Sequence, residues 1–390
     1  MTSAELKERV VAVVREAGAS AVAIASAGDD QPARERFDAA IERGDLASWP
    51  YDAEYVARAT SPRALLAGAK SVVCIAVPYA TEPPPVRAPL TGRFSNYAWA
   101  ADYHRRMRAI LRRVAAVLDE IAGEPATRVA CDTAPLAERA FAERSGLGWI
   151  GKHTNLIAPG LGSYVFLGEI VTTLELPPDP PSKKKCGSCT RCVDVCPTGA
   201  LRGDYTIDAT RCISDLTQRP DAIPRELRPL LGDWVWGCDL CQEICPPTQR
   251  APARGDRAFA ASSADAAFPN LLALLGLRRG EYRRRFRPTA MGWRSGAVLR
   301  RNAAVALGNA LDRAAVPALE RSLREDKSEL VRGHAAWALG RIGSPRARRA
   351  LEERLAGEPA LAVREEILTA LGSKPSPSEA TQSMSRGNMG

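Results

Sequence analysis

The runs CGSCTRCVDVCPTGAL at 186–201 and GCDLCQEICPP at 237–247 govern the reading of this 390-residue chain. Eight of its ten cysteines fall between residues 186 and 245, a crowding that metal binding explains better than disulfides do. Cys186, Cys189, Cys192 and Cys196 have the C-x2-C-x2-C-x3-C-P spacing of modules that carry two 4Fe-4S clusters. In the second set Cys212 stands apart from Cys238, Cys241 and Cys245, but the C-x2-C-x3-C-P ending is kept. The fourth cysteine of each such run is aimed at the other cube. The expected ligand sets are therefore Cys186, Cys189, Cys192 with Cys245, and Cys212, Cys238, Cys241 with Cys196. A pair of four-cysteine zinc sites is the alternative, although zinc ribbons do not need a triple run ending in Cys-Pro. Cys74, in SVVCIAVPYA, and Cys131 read as small buried hydrophobes.

With 45% hydrophobic and 25% charged residues, the chain has the composition of a globular protein able to bury real cores. It contains no apolar run long enough for a membrane-spanning helix. Its opening MTSAELKERVVAVVREAGAS lacks the order of a secretory signal, so a cytoplasmic location and no membrane partner are expected. The net charge of +9 permits a polyanionic partner without demanding one.

Residues 1–177 alternate helical and β-branched runs, among them AVAIAS, SVVCIAVPYA, TRVACD and SYVFLGEIVTTL, which implies an α/β domain. ELPPDPPSKKK links it to an inserted two-cluster, ferredoxin-like module over 178–255. From residue 299 the chain repeats every 32 residues: LRRNAAVALG, VRGHAAWALG and AVREEILTALG are in register, as are Leu319 and Leu323 with Leu351 and Leu355. That is the pattern of a HEAT-like α-solenoid, assigned with the basic segment before it to 256–372. Residues 373–390 read as a disordered tail. The fold class is thus α+β and α/β multidomain.

The basic segment LRRGEYRRRFRPTAMGWRSGAVLRR carries nine arginines against one glutamate, interleaved with Tyr282, Phe286 and Trp293. Arginine forks and aromatic faces suit RNA phosphates and bases; a solvated helix face is the plainer reading. Upstream, the glycine-rich stretch at 131–169 contains neither a dinucleotide fingerprint nor a P-loop, and its glycines allow close backbone approach to something large and flat. Asp132 there follows a strand and precedes a helix expected to start near Pro135. It reads either as an ionised helix cap or as a general acid, and the second role requires burial that raises its pKa. Lys152, His153, Thr154 and Asn155 form a second polar cluster. With three histidines in the chain a multi-histidine metal site is not expected, and His334 reads as packing.

In their order, ADYH (101–104), DTAPLAERA (132–140), GLGWIGKHTNL (146–156), GSYVFLGE (162–169), both cysteine runs, RCISDLTQ (211–218) and RGHAAWALGRIG (332–343) resemble the epoxyqueuosine reductases. These enzymes complete the queuosine modification at the tRNA wobble position. The resemblance implies a cobalamin-dependent iron–sulfur enzyme, related to reductive dehalogenases, that reduces the epoxide of epoxyqueuosine in tRNA with Asp132 as proton donor. It places cobalamin against Arg58, Ser95, Tyr97, Asp132, Lys152, Asn155, Leu156, Leu167, Ser214, Cys238 and Asp239, with Ser95, Leu156 and Leu167 acting through backbone groups. The implied partners are tRNA carrying epoxyqueuosine and a low-potential electron donor, with the enzyme working as a monomer. Two other readings remain: a non-catalytic iron–sulfur electron-transfer protein, and a cobalamin-dependent reductive dehalogenase-like enzyme, which leaves the arginine belt and the repeats without a purpose.

Overall fold

The computed structural model describes residues 2–47, 49–84 and 89–372, and the tail expected over 373–390 lies outside them. Two compact units emerge, each assembled from separate stretches of chain. Of the described residues, one comprises 2–47, 49–83, 96–215 and 238–262; the other comprises 84, 89–95, 216–237 and 263–372.

In the first unit β1 (Ala21–Ser26), β2 (Ser71–Pro78), β3 (Thr127–Ala130) and β4 (Val165–Thr172) form a sheet in the order β1-β2-β4-β3. Strand and helix alternate along the chain, yet every pairing is antiparallel. A ligand site at the carboxyl ends of parallel strands is therefore not what this sheet offers. Both faces are covered. Val73, Ile75 and Val77 of β2 pack with Ile24 and Ile170 against α1 (Ser3–Ala17) and α2 (Tyr103–Ala122), whose Val10, Val14, Met107, Ile110, Leu111, Val114 and Leu118 form the inner stripe. Val72, Cys74 and Ala76 point the other way and meet Phe141 of α3 (Glu138–Arg144) with Leu147 and Leu156. Cys74 is fully buried, and burial pushes its thiol pKa well up, so it packs and does not react.

The proline-rich segment is laid against this body. Asp179 accepts from Lys7 Nζ at 2.6 Å and from the Ile24 N–H at 2.9 Å. Gly146 passes so close that a Cβ would come 2.2 Å from the Pro180 carbonyl oxygen, and its φ of +77° is left-handed. The cysteine-bearing segment is tied down in the same unit: Arg202 forks onto Asp45 at 2.6 and 2.9 Å, and the Asp45 carbonyl accepts from Ala209.

In the second unit the repeats are α4 (Gly296–Ala310), α5 (Val316–Glu325), α6 (Glu329–Ile342), α7 (Pro345–Gly357) and α8 (Leu361–Gly372). Gly308 and Gly340, 32 residues apart, let α4, α6 and α8 approach closely: a Cβ at Gly308 would meet Trp337 at 2.7 Å, and one at Gly340 would meet Ala370 at 2.6 Å. An ion pair recurs with the same period, Arg300 with Asp326 and Arg332 with Glu358, both at 2.7 Å. Glu358 is held down to about 2 because hydrogen bonds from Arg332, the Ala360 N–H and Arg354 outweigh its burial.

The repeats also hold the segment 216–237. Arg301, fully buried, donates to the carbonyls of Leu216, Arg219 and Asp221, and Asn302 donates to those of Thr217 and Val235. His334, at the position equivalent to Asn302, accepts the Ile223 N–H through Nε2. Replacing Arg301 with Leu strands three carbonyls, so a loss of about 3 kcal/mol or more is expected in chemical denaturation. Arg301→Lys is expected to recover little, because one ammonium cannot reproduce the planar fork.

Candidate functional site

Four thiols distant in sequence come together first. Cys186, Cys189, Cys192 and Cys245 line a cavity of about 190 Å³ with Trp149, His153, Ile157, Lys185, Arg191, Pro246 and Pro247. The Cys192 thiol is pushed up to about 11 by burial and then by Cys186, Cys245 and Cys189. The second group shows the same mutual influence. Burial and the charge of Cys196 bear on Cys212, which rises to about 11 although the Asp215 and Ser214 N–H groups oppose it, while Cys238 and Cys241 are pushed well up by burial and by Cys212. Thiols gathered this way favour a cation that removes their protons. Among the described residues no three Cys, His, Asp or Glu side chains converge tightly enough for a single metal ion. Thiols spread round a cavity suit a cube better than one zinc ion, whose Zn–S bonds are about 2.3 Å.

Asp132 occupies the bend after β3 in a left-handed conformation, φ +58°. It is not a helix cap: α3 begins at Glu138, behind Ala137, with no side-chain cap. Its backbone N–H is instead gripped by Glu138 Oε1 at 2.5 Å. Its carboxylate meets the start of α2, with His104 Nε2 3.4 Å from Oδ2, an ion-pair distance, and Tyr103 beside it. His104 in turn sets Nδ1 2.7 Å from Asp102 Oδ1. Two carboxylates on one imidazole raise it to about 9, Asp102 contributing first and Asp132 second. The bond to His104, ahead of burial, holds Asp132 below the usual carboxylate range. This is the reverse of the upward shift that a lone carboxylic acid requires. The proton rests on the histidine.

Beneath Asp132 lies a second pair. Glu169, on β4, is fully buried and neither carboxylate oxygen meets a fixed donor; it faces Glu138. Burial pushes both pKa values up, and the charge of Glu138 adds to the rise at Glu169, while Glu138 accepts the Asp132 N–H. The motif stretches DTAPLAERA and GSYVFLGE each supply one of these glutamates, and ADYH supplies Tyr103 and His104. Position in those motifs was the available signal for His104, Glu138 and Glu169; their pairing was not visible in the sequence.

Most residues expected around cobalamin lie in the same unit as Asp132. The Cys131 thiol reaches the Leu167 carbonyl at 3.7 Å, which ties Asp132's neighbour to β4. Asp239, buried beside Cys238, accepts the Asn96 N–H at 2.7 Å and so anchors the turn that carries Tyr97. The Asn155 carbonyl accepts the Gly151 N–H and its own N–H donates to the His153 ring Nδ1, and Arg139 of α3 caps the adjacent Thr154 carbonyl at 2.7 Å. Leu156 is buried, Lys152 half-buried, and Arg58 exposed with Glu54 4.0 Å away. Ser214 offers its N–H to Cys212. Ser95 is the exception: it belongs to the second unit, where its N–H bonds the Trp236 carbonyl at 2.8 Å. The Asn96 side-chain oxygen is buried with no partner among the described residues, a polar atom in want of a donor.

The arginine belt divides by role. Arg301 is core, and Arg285 and Arg300 pair with Asp265 and Asp326. Arg279, Arg283, Arg287, Arg294 and Arg300 surround a cavity of about 560 Å³ with Tyr282 and Ser295. Tyr282 and Phe286 are buried, so of the three aromatics only Trp293, 48% exposed, is available for stacking.

Comparison with known proteins follows the same outline. Residues 185–248 match the family model described as a 4Fe-4S double cluster binding domain, 59–133 the one described as epoxyqueuosine reductase QueG, and 295–372 that of HEAT repeats. An epoxyqueuosine reductase of Bacillus anthracis is 33% identical over 334 residues, covering 84% of this chain and 87% of that protein. A solved epoxyqueuosine reductase with an epoxyqueuosine-modified tRNA-Tyr stem loop superposes with TM-score 0.87 at 31% identity, covering 95% of this chain and 99% of that one. A Bacillus subtilis epoxyqueuosine reductase with its catalytic aspartate loop swung out of the active site superposes with TM-score 0.86 at 31% identity, with the same coverage.

The raised carboxyls give the region beneath Asp132 a defined pH response. A carboxyl whose folded pKa is raised stabilises the fold below its unfolded pKa, and that contribution is lost as pH rises through the folded value. Glu169→Gln keeps a donor toward Glu138 at every pH. The variant is expected to lose less melting temperature than the parent between about pH 5 and pH 8, as measured by scanning calorimetry.

Proposed function

This chain belongs to the epoxyqueuosine reductase family, and from that membership we propose that Asp132, backed by His104, protonates the oxygen leaving the substrate. The enzyme reduces the epoxide of epoxyqueuosine in tRNA to the alkene of queuosine. The balance requires two electrons and two protons per epoxide, with the oxygen departing as water. When bound, the two 4Fe-4S clusters supply single electrons and cobalamin supplies the strong reductant or nucleophile for the epoxide.

The protein's part is to hold those groups and to manage the protons. Cys186, Cys189, Cys192 and Cys245 would hold one cluster and Cys196, Cys212, Cys238 and Cys241 the other; the shared cavity of the first four supports this division. Arg58, Ser95, Tyr97, Asp132, Lys152, Asn155, Leu156, Leu167, Ser214, Cys238 and Asp239 would surround cobalamin. The unpartnered Asn96 oxygen next to Tyr97 fits a periphery rich in amide donors. Asp132 begins ionised and His104 protonated, so the proton moves from imidazolium to carboxylate to alkoxide as water is displaced and the carboxylate loses solvation. The single observation that carries this reading is the Asp102–His104–Asp132 chain, which stores a proton one residue behind the reacting carboxylate. The left-handed Asp132 bend, gripped by Glu138, fits a loop that has to reproduce one position each cycle.

Arg279, Arg283 and Arg287 would meet tRNA phosphates, with Trp293 as a stacking face. The electron donor would be a low-potential carrier, and the exposed Lys183, Lys184 and Lys185 before Cys186 offer an acidic one a point of approach. No helix among the described residues is long and apolar enough to cross a membrane. We take the enzyme to act in the cytoplasm as a monomer.

Asp132→Asn is expected to cut turnover by about 10²- to 10⁴-fold, read as loss of one oxygen in the nucleoside mass, with iron content and tRNA retention unchanged. Turnover at the parent rate would remove Asp132 from the mechanism. In the parent, activity is expected to fall as pH rises through about 9, where His104 gives up its proton; in His104→Gln that limb is expected to disappear from an already slower profile. Replacing Arg279, Arg283 and Arg287 with Ala is expected to weaken tRNA retention and to lower the salt-dependence slope by roughly 1 per arginine, as measured by filter binding across a salt series.

A further inference from the structure

Two side chains on the wall of the first cysteine cavity have no use in the account so far. Trp149 and His153 are 8% and 2% exposed, both line the cavity ringed by Cys186, Cys189, Cys192 and Cys245, and neither Trp149 Nε1 nor His153 Nε2 has a hydrogen-bond partner among the described residues. Indole nitrogen can only donate. The histidine's hydrogen is located by its other nitrogen: Nδ1 accepts the Asn155 N–H at 3.2 Å, so a neutral ring carries its hydrogen on Nε2. Burial keeps the ring neutral by pushing its pKa down to about 4. Gly151 leaves the space the ring occupies, since a Cβ there would lie 2.9 Å from His153 Cε1 and 3.2 Å from Nε2. Two N–H donors are thus buried without acceptors beside four thiols, and such donors are costly to leave unmade.

We infer that Trp149 Nε1–H and His153 Nε2–H are hydrogen-bond donors to the sulfurs of the cluster held by Cys186, Cys189, Cys192 and Cys245, and that they raise its reduction potential. The inference rests on the cluster reading above. Its physical basis is charge: one-electron reduction places an extra negative charge on the sulfurs, and a fixed N–H dipole stabilises the reduced form more than the oxidised one. The two residues position no substrate and transfer no proton. They would set how readily this cluster accepts an electron.

The test uses the full chain with clusters reconstituted and no tRNA present. Potentiometric titration followed by electron paramagnetic resonance should show two one-electron steps. In Trp149→Phe and in His153→Phe, each of which removes one N–H and keeps a ring, one step is expected to move to lower potential by a tenfold change in its equilibrium, about 59 mV, while the other stays in place. His153→Gln, which keeps an N–H, is expected to stay nearer the parent than His153→Phe. In heavy water, exchangeable deuterons coupled to the reduced cluster should be fewer in each Phe variant. Should a His153 variant lose iron, Trp149→Phe decides the matter. Both steps unmoved, with the full iron content of about eight per chain, would overturn the inference and leave the cluster reading standing. A parent protein that binds only half that iron would overturn the cluster reading itself.

Discussion

Thiols far apart along the chain have to meet round a common space, and that requirement organises this protein. Cys245 joins Cys186, Cys189 and Cys192 at one cavity, so more than fifty residues must leave and return between Cys192 and Cys245. The excursion is not idle chain. It carries Cys212 and Ser214, and through 216–237 it provides the carbonyls that Arg301 and Asn302 of the first repeat helix hold. The return brings Asp239, which fixes the turn bearing Tyr97.

Charge is handled by pairing throughout, and the kind of pairing separates scaffold from chemistry. Arg332 with Glu358 and Arg300 with Asp326 are opposite charges in good geometry, repeated with the solenoid's period, and Arg332 helps hold Glu358 ionised. Glu138 with Glu169 is the contrary case: like groups set close together, both pushed toward the protonated form by burial. Asp132 with His104 lies between these. Their attraction lowers the carboxylate's pKa and raises the imidazole's.

Sequence periodicity made several of these elements legible before any coordinates. AVAIAS is β1 residue for residue, and the 32-residue spacing locates α4 through α8. Cysteine spacing alone paired Cys245 with the first run. Periodicity reports burial along one element and is silent about which element covers it. Tyr282 and Phe286 accordingly read as stacking platforms in a basic stretch, whereas the fold uses them as core. Of the two readings of Asp132, the cap arose because a strand, an aspartate and a proline in succession usually open a helix; here α3 starts three residues after Pro135 and the aspartate turns left-handed instead.

The sequence by itself determined the inventory: which residues can bind iron, which segments are helix or strand, and where the chain repeats. Local spacing carries that information because each of those properties arises within a few turns or a single loop. Only the tertiary structure decided that the sheet is antiparallel, that Glu169 on a central strand faces Glu138, that His104 at the head of α2 meets Asp132 after β3, and that Trp149 and His153 line the cysteine cavity with unpartnered nitrogens. Each of those depends on the distance between side chains separated by many residues, and that distance is set by how the packed elements cross.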